Sequence, residues 1–430
     1  MPAPRIDLAR VTKAFSPAQI RSIVQAQARI NVWSGAIRSG KTVASLLRWL
    51  IYIAEAPPNG RLVMVGRTKD TIARNLFAVL QDPLIFGPLA AEVHYRPGAP
   101  TARILGRVVD VIGAHDAKAE GRLRGMTCAG AYVDEATLVP REFWTQLIGR
   151  MSVVNAKLFA TTNPDSSAHW LRQDFLLRAN EPDVQLRHWH FTLDDNPALD
   201  ADFRRSIKAS FVGLFYRRFV LGHWVAAEGA IYDQWDPDTM VVKDAQMPLI
   251  ERWLSVGVDY GTTNPFSALL LGVGVDRRLY VASEWRHDSR KAHRQMTDAE
   301  YSTSMRGWLD AIPIPGTDLR GVRPEYVAVD PSAASFIQTL YRDGLTPTPA
   351  RNEVLDGIRN VSTLMGRGLL RVHESCTGLL SELPSYAWDD KAALKGLDVP
   401  IKVADHSCDA LRYGIHTTEA LWRSLFDLAA

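Results

Sequence analysis

Cysteine is scarce in this chain: Cys128, Cys376 and Cys408 are the only three in 430 residues, far apart and without a CxxC pair. That scarcity excludes a disulfide framework and a thiolate zinc site, and it fits a reducing compartment. Long apolar runs are missing too. The longest candidate, residues 45–56, is interrupted by Arg48 and Glu55 and falls short of the ~18 apolar residues of a membrane span, so it reads as a buried helix. The N-terminus lacks the apolar core of a signal peptide. Neither sign of charge dominates, with 50 Lys and Arg against 47 Asp and Glu for a net +3. This balance permits a nucleic-acid partner without arguing for one. There is no repeat of solenoid period and no low-complexity tract. What remains is an ordinary globular composition, 47% hydrophobic and 23% charged, long enough for two or three domains.

Strand-like runs at 30–35, 61–66, 102–113, 129–136, 156–163 and 184–193 alternate with helical stretches such as 42–56 and 141–151. Such alternation predicts a mostly parallel sheet flanked by helices. A helical segment is expected over 200–222, after which periodicity fades and Pro and Asp accumulate. The strand-rich pattern then restarts near Leu254. The reading is two α/β domains in tandem: residues 1–221 with a helical lid at their end, a linker over 222–250, and 251–430.

Residues 35–42, Gly-Ala-Ile-Arg-Ser-Gly-Lys-Thr, match GxxxxGK[ST] between a strand and a helix, the context that this motif requires. Gly35 and Gly40 let the backbone N–H groups around Arg38 and Ser39 face phosphate oxygens at a helix N-terminus. Lys41 reaches the β- and γ-phosphates of ATP, and the Thr42 hydroxyl joins the Mg²⁺ shell. Some ninety residues on, an apolar strand ends in Asp134 and Glu135, a pair that divides metal binding from base work. The next strand delivers Thr161, Thr162 and Asn163 to the same sheet edge, although a plain Thr-Asn-Pro turn reads similarly. Arg38, Arg122 and Arg124 are arginine-finger candidates, weighed against the commoner fate of a solvated surface arginine.

In the second half, Asp259 and Asp330 end apolar strands and Asp409 opens the last helix. Three carboxylates gathered at one sheet edge suit two divalent metals, Mg²⁺ or Mn²⁺, flanking a scissile phosphate. His406 is close enough to Asp409 to act as ligand or proton shuttle, or is a simple loop histidine. Asp405 and Ser407 read as helix N-caps. The stretch around Gly-Val-Asp-Tyr-Gly at 257–261 also resembles the first phosphate loop of actin-like ATPases, but the strand at 326–330 lacks the second glycine pattern which that reading needs.

Taken in order, Ser-Gly-Ala-Ile-Arg-Ser-Gly-Lys-Thr, Ala-Tyr-Val-Asp-Glu-Ala, Ala-Thr-Thr-Asn-Pro, the junction at 216–235, Gly-Val-Asp-Tyr-Gly, Val-Ala-Val-Asp-Pro-Ser and Asp-His-Ser-Cys-Asp-Ala-Leu-Arg-Tyr resemble the phage large terminases, especially the PBSX-type branch. The resemblance runs from about Phe15 to His416. It implies an additional-strand, RecA-like P-loop ATPase domain followed by a ribonuclease H-like nuclease domain. It also implies an ATP-driven motor that moves double-stranded DNA into a procapsid and cuts the concatemer at both ends of the process. Carried onto this chain, it implies Asp134 as the Walker B carboxylate, Glu135 as catalytic base, Thr161–Asn163 as the coupling motif, and Asp259, Asp330 and Asp409, with His406, as the nuclease set. It implies an adenine contact from Gln19, with Gln25 and Gln27 as rivals. The partners implied are duplex DNA, a small terminase subunit and the portal protein. The chain would be a monomer in solution and a ring, of five when docked. It would work in the host cytoplasm and transiently at the portal vertex, away from membranes and absent from the mature virion. The rivals are a helicase-like translocase without nuclease activity and a non-enzymatic DNA-binding protein.

Overall fold

The computed structural model describes residues 15–115, 119–262 and 264–428. They form two compact units. The first runs from residue 15 to Arg204 and includes Tyr216–Ala226, and the second contains Arg205–Phe215 and the residues from Ala227 onward.

The first unit holds an eight-stranded sheet in the order β3-β4-β5-β2-β6-β7-β1-β8. Its strands are β1 Ile30–Gly35, β2 Arg61–Gly66, β3 Val93–His94, β4 Thr101–Ile104, β5 Arg107–Gly113, β6 Cys128–Val133, β7 Lys157–Thr162 and β8 Leu186–Phe191. From β5 to β8 the pairing is parallel, and β3 and β4 add an antiparallel edge. The strands read as continuous apolar runs because both faces are covered. On one face Trp33, Met64, Tyr132 and Phe159 pack with Trp49 and Ile53 of the helix Lys41–Glu55. On the other, Val32, Val63, Val133 and Leu158 pack with Phe143, Trp144 and Leu147 of the helix Arg141–Arg150. Adjacent residues on each strand thus serve opposite cores.

Three expectations about elements change here. The run 102–113 is a hairpin, not one strand: Leu105 and Gly106 both take positive φ, 49° and 77°, and turn the chain so that Ile104 faces Arg107. The helical segment is two helices, Ala201–Ala209 and Gly213–Phe219, broken where Gly213 takes φ +52°. The stretch 222–250 is not a free linker. Its Pro- and Asp-rich turns punctuate short apolar pieces, and Ile231, Tyr232, Met240 and Val242 are all buried. Val241–Val242 forms β9 beside the strand Leu370–His373.

The second unit carries a seven-stranded sheet in the order β14-β13-β10-β11-β12-β15-β9, with β10 Ile250–Asp259, β11 Phe266–Gly274, β12 Leu279–His287, β13 Tyr326–Val329, β14 Pro347–Pro349 and β15 Leu370–His373. Strands β10, β11 and β12 are antiparallel, while β13 joins β10, and β14 joins β13, in parallel. One face packs Val256, Val258, Phe266 and Leu270 against Tyr301 and Met305 of the helix Asp298–Ala311 and Phe336 of the helix Ala334–Arg342. The helix His406–Thr417 lies against β10 and β11. It comes so close that a Cβ on Gly257 would stand 2.0 Å from the carbonyl oxygen of Ala410.

Candidate functional site

Two pockets collect nearly all the residues singled out from the sequence, one in each unit. The first, about 450 Å³, opens where β1, β6 and β7 end and includes Arg38 to Thr42, Asp134, Glu135 and Thr161 to Asn163. The P-loop bends through three positive φ angles, 146° at Gly35, 54° at Arg38 and 78° at Gly40. Gly35 cannot be otherwise, since a Cβ there would lie 1.9 Å from the carbonyl oxygen of Phe191. The loop's backbone is strapped from outside: Phe191 O accepts from Ala36 N–H, Phe219 O from Ile37 N–H, the Asn196 amide donates to Arg38 O at 2.7 Å, and the Gln19 amide donates to Ser39 O at 2.9 Å.

Lys41 Nζ donates to Ala36 O at 3.0 Å and to Asn163 Oδ1 at 2.6 Å. Burial pulls its pKa down to about 8, against the opposing charges of Asp134 and Glu135. Asp134 is buried. It accepts from Thr161 Oγ1 at 2.9 Å and from the Asn75 amide at 3.1 Å, and burial raises its pKa despite both bonds. Glu135 sits at φ +48°, where a non-glycine residue is strained, and burial followed by the charge of Asp134 raises its pKa. Thr162 bonds Thr137 Oγ1 at 3.0 Å.

Several of the expected residues stand outside the lining of this pocket. Gln19 is almost fully buried and outside the lining. Its Oε1 accepts from Ser16 N–H in a helix capping box, and its amide nitrogen braces the P-loop. Gln25 and Gln27 bond Arg187 and Arg48 instead. Arg122 and Arg124 are exposed and line no part of this pocket, and Arg122 donates to Gly113 O at 2.6 Å. Residues missed from sequence are Arg74, Asn75 and Asn196. The first two sit on a five-residue π-helical turn, Ala73–Phe77, a local widening that often marks functional positions but has no signature in the local sequence.

The second pocket, about 830 Å³, brings Asp259, Asp330, Asp409 and His406 together. Asp259 ends β10, and its Oδ2 lies 2.9 Å from His406 Nδ1. Burial lifts the Asp259 pKa to about 6; the His406 bond opposes this, and the charges of Asp409 and Asp330 add to it. The bond to Asp259 raises His406 in turn. Asp330 follows β13 and accepts from Ser332 N–H in a tight turn. Asp409, on the first turn of the helix His406–Thr417, lies between Lys402 Nζ at 2.9 Å and Arg412 Nη2 at 3.0 Å. Among the described residues, no three His, Cys, Asp or Glu side chains stand in ready metal-holding positions.

Asp405 and Ser407 do not cap that helix with their side chains. Glu382, twenty-five residues earlier, does so by accepting from Ser407 N–H at 2.6 Å and Cys408 N–H at 3.2 Å. Glu382 is itself paired with Arg286 at 2.6 Å. A carboxylate at a helix N-terminus is favoured by the helix dipole, and a distant acceptor of this kind leaves no local sequence signal.

A parallel sheet with a P-loop on β1, an acidic pair after β6 and a further strand between them defines a nucleotide-binding fold of the additional-strand P-loop class. The second sheet, with strands 3-2-1-4-5 of its domain at β12-β11-β10-β13-β14 and acids at the ends of β10 and β13, is ribonuclease H-like. The family model for the T4-like-virus type of terminase large subunit, N-terminal part, matches residues 32–236. The large terminase of a thermophilic bacteriophage is 32% identical and superposes with a TM-score of 0.80, covering 94% of this chain and 98% of that one. The same phage protein in complex with ATP-γ-S matches at a TM-score of 0.78. The large terminase subunit of Escherichia phage T5 is 26% identical over 291 residues, which are 64% of this chain and 61% of that protein's length. The chain belongs to the large terminase family.

Proposed function

We propose that this chain is the motor and nuclease subunit of a phage DNA-packaging machine, with an ATPase in the first unit and an endonuclease in the second. The observation that carries the reading is the presence, in one chain, of two separate acidic pockets on two different sheets, each with its own basic partner. The PBSX-type branch rests on the sequence motifs alone.

In the first pocket the P-loop amides and Lys41 bind the phosphates of ATP, and Asp134 with the Thr42 hydroxyl would hold the accompanying Mg²⁺. Glu135 orients and deprotonates the attacking water, and its raised pKa makes it a better base than an ordinary carboxylate. Asn163 on Lys41 and Thr161 on Asp134 give one strand a grip on both ends of the site, which suits β7 to a coupling role. Arg38 and Arg74 line the pocket and supply charge in cis. A finger role for Arg122 or Arg124 is one played on a neighbouring subunit of the ring.

In the second pocket the donor set fits hard divalent cations: three carboxylates face one space, and their crowding contributes to the raised pKa of Asp259. Asp259, Asp330 and Asp409 would hold two cations, Mg²⁺ or Mn²⁺, whose chemistry is to stabilise charge on the attacking and leaving oxygens of a phosphodiester. His406, with Nδ1 2.9 Å from Asp259 Oδ2, fixes that carboxylate. The substrate is double-stranded DNA, held mainly through its phosphates. The remaining partners are a small subunit and the portal, on which five copies form a ring at the procapsid vertex in the host cytoplasm.

Supercoiled plasmid incubated with Mn²⁺ or Mg²⁺ tests both halves. Nicking and linearisation are expected with wild type and with Lys41→Ala but not with Asp259→Ala, whereas ATP turnover is expected to be lost only in Lys41→Ala. Turnover without any cleavage in wild type would favour a translocase lacking nuclease activity.

A further inference from the structure

Lys402 sits in an exposed loop immediately before the helix that carries His406 and Asp409. Its Nζ is 2.9 Å from Asp409 Oδ2 and 3.1 Å from Asp405 Oδ2, while both carboxylate side chains are less than 10% exposed and its own side chain is 62% exposed. The other oxygen of Asp409 is taken by Arg412, which is itself buried. Arg412 is a fixed part of the core beneath the site, but Lys402 is not. The loop around it, Ile401 to Ala404, is exposed throughout, and Ala404 takes φ +49°, a strained angle for a residue with a side chain. The ammonium sits on a flexible, solvent-exposed stem, so it can exchange this position for another anion, provided that a cation takes its place beside the buried carboxylates.

We propose that Lys402 is a resident cation that occupies the face of Asp409 needed by a divalent metal, so that loading of the nuclease site requires the lysine to swing away. This rests on the nuclease reading of the second pocket. Asp409 is neutralised from both sides, by Lys402 on one oxygen and Arg412 on the other. A phosphate backbone entering the pocket offers the ammonium an alternative anion, and Lys402 moving to it frees Asp409. Arg290 and Lys291 line the same pocket without pairing to Asp259, Asp330 or Asp409, so they add positive potential without blocking a ligand. Unregulated cutting would destroy the DNA that the motor is packaging, and a site that loads metal poorly until DNA arrives avoids it.

The test is Mn²⁺ titration by calorimetry of the full chain without nucleotide or DNA, with the second-site component defined as the part removed by Asp259→Asn. Lys402→Gln is expected to bind Mn²⁺ about tenfold more tightly than wild type, the scale of removing one adjacent like charge in a half-exposed site. Lys402→Arg is expected to remain near wild type. Lys291→Gln, 89% exposed and at 4.0 Å from Asp288, controls for the general field and is expected to shift affinity by less than about twofold. Thermal unfolding of each variant reports whether it is folded. Equal affinity in Lys402→Gln and wild type, or equal gains in Lys402→Gln and Lys291→Gln, would overturn the resident-cation role while leaving the nuclease reading intact. Absence of any Asp259-dependent binding in all variants would overturn both.

Discussion

Asp134 and Asp409 are both nearly buried carboxylates, yet their neighbours differ in kind. Asp134 is held by an amide and a hydroxyl, from Asn75 and Thr161, while Asp409 is held by an ammonium and a guanidinium, from Lys402 and Arg412. Neutral donors fix a carboxylate's geometry and leave its charge to be satisfied by whatever arrives. Charged donors satisfy it in advance. The first site thus leaves its carboxylate charge to be matched, whereas the second already holds its counter-charges.

Damage to one site is expected to leave the other untouched, and the largest effect is expected at Glu135. Glu135→Gln is expected to lower ATP turnover by about a hundredfold or more while retaining binding of a fluorescent ATP analogue and normal plasmid cleavage. Loss of cleavage in the same variant would break the independence of the two sites. Of intermediate size is Glu382→Gln, which weakens the carboxylate cap on the helix bearing His406 and Asp409 and leaves Arg286 without its charge partner. It is expected to cost about 2 kcal/mol of stability in chemical denaturation and to slow cleavage several-fold with ATP turnover unchanged. The smallest effect sharpens the assignment of Gln19. As a strut beneath Ser39, Gln19→Ala is expected to lower turnover a few-fold with similar loss for ATP and GTP. A loss confined to ATP would restore the adenine contact.

The first site was legible because its chemistry lies in a contiguous stretch of backbone: eight residues dictate the loop, and the strand after it must end near the phosphates. Asp259, Asp330 and Asp409 were legible one at a time as polar residues closing apolar strands or opening a helix, and the fold brings them to one pocket. What escaped were side chains whose partners are far away in sequence. Asn75 is 59 residues from Asp134, and Glu382 reaches over 25 residues to cap a helix for which Asp405 and Ser407 read as caps. Periodicity encodes which face of an element is buried, not which distant amide or carboxylate it meets. The same limit explains the linker: Pro and Asp announced turns at 222–250, but whether the short apolar pieces between them were buried depended on a sheet assembled from the rest of the unit.

Gly257 lies two residues before Asp259 and Ala410 follows Asp409, and between them main chain rests directly on main chain. The spacing of the two carboxylates is therefore gauged by atoms that every residue possesses, not by the bulk of intervening side chains. Core positions elsewhere in the unit can drift between leucine, isoleucine and methionine without altering that gauge, whereas a single methyl group at Gly257 would push strand and helix apart. Sequence change in this domain is thereby decoupled from the distance between Asp259 and Asp409, at the cost of a position that admits no side chain.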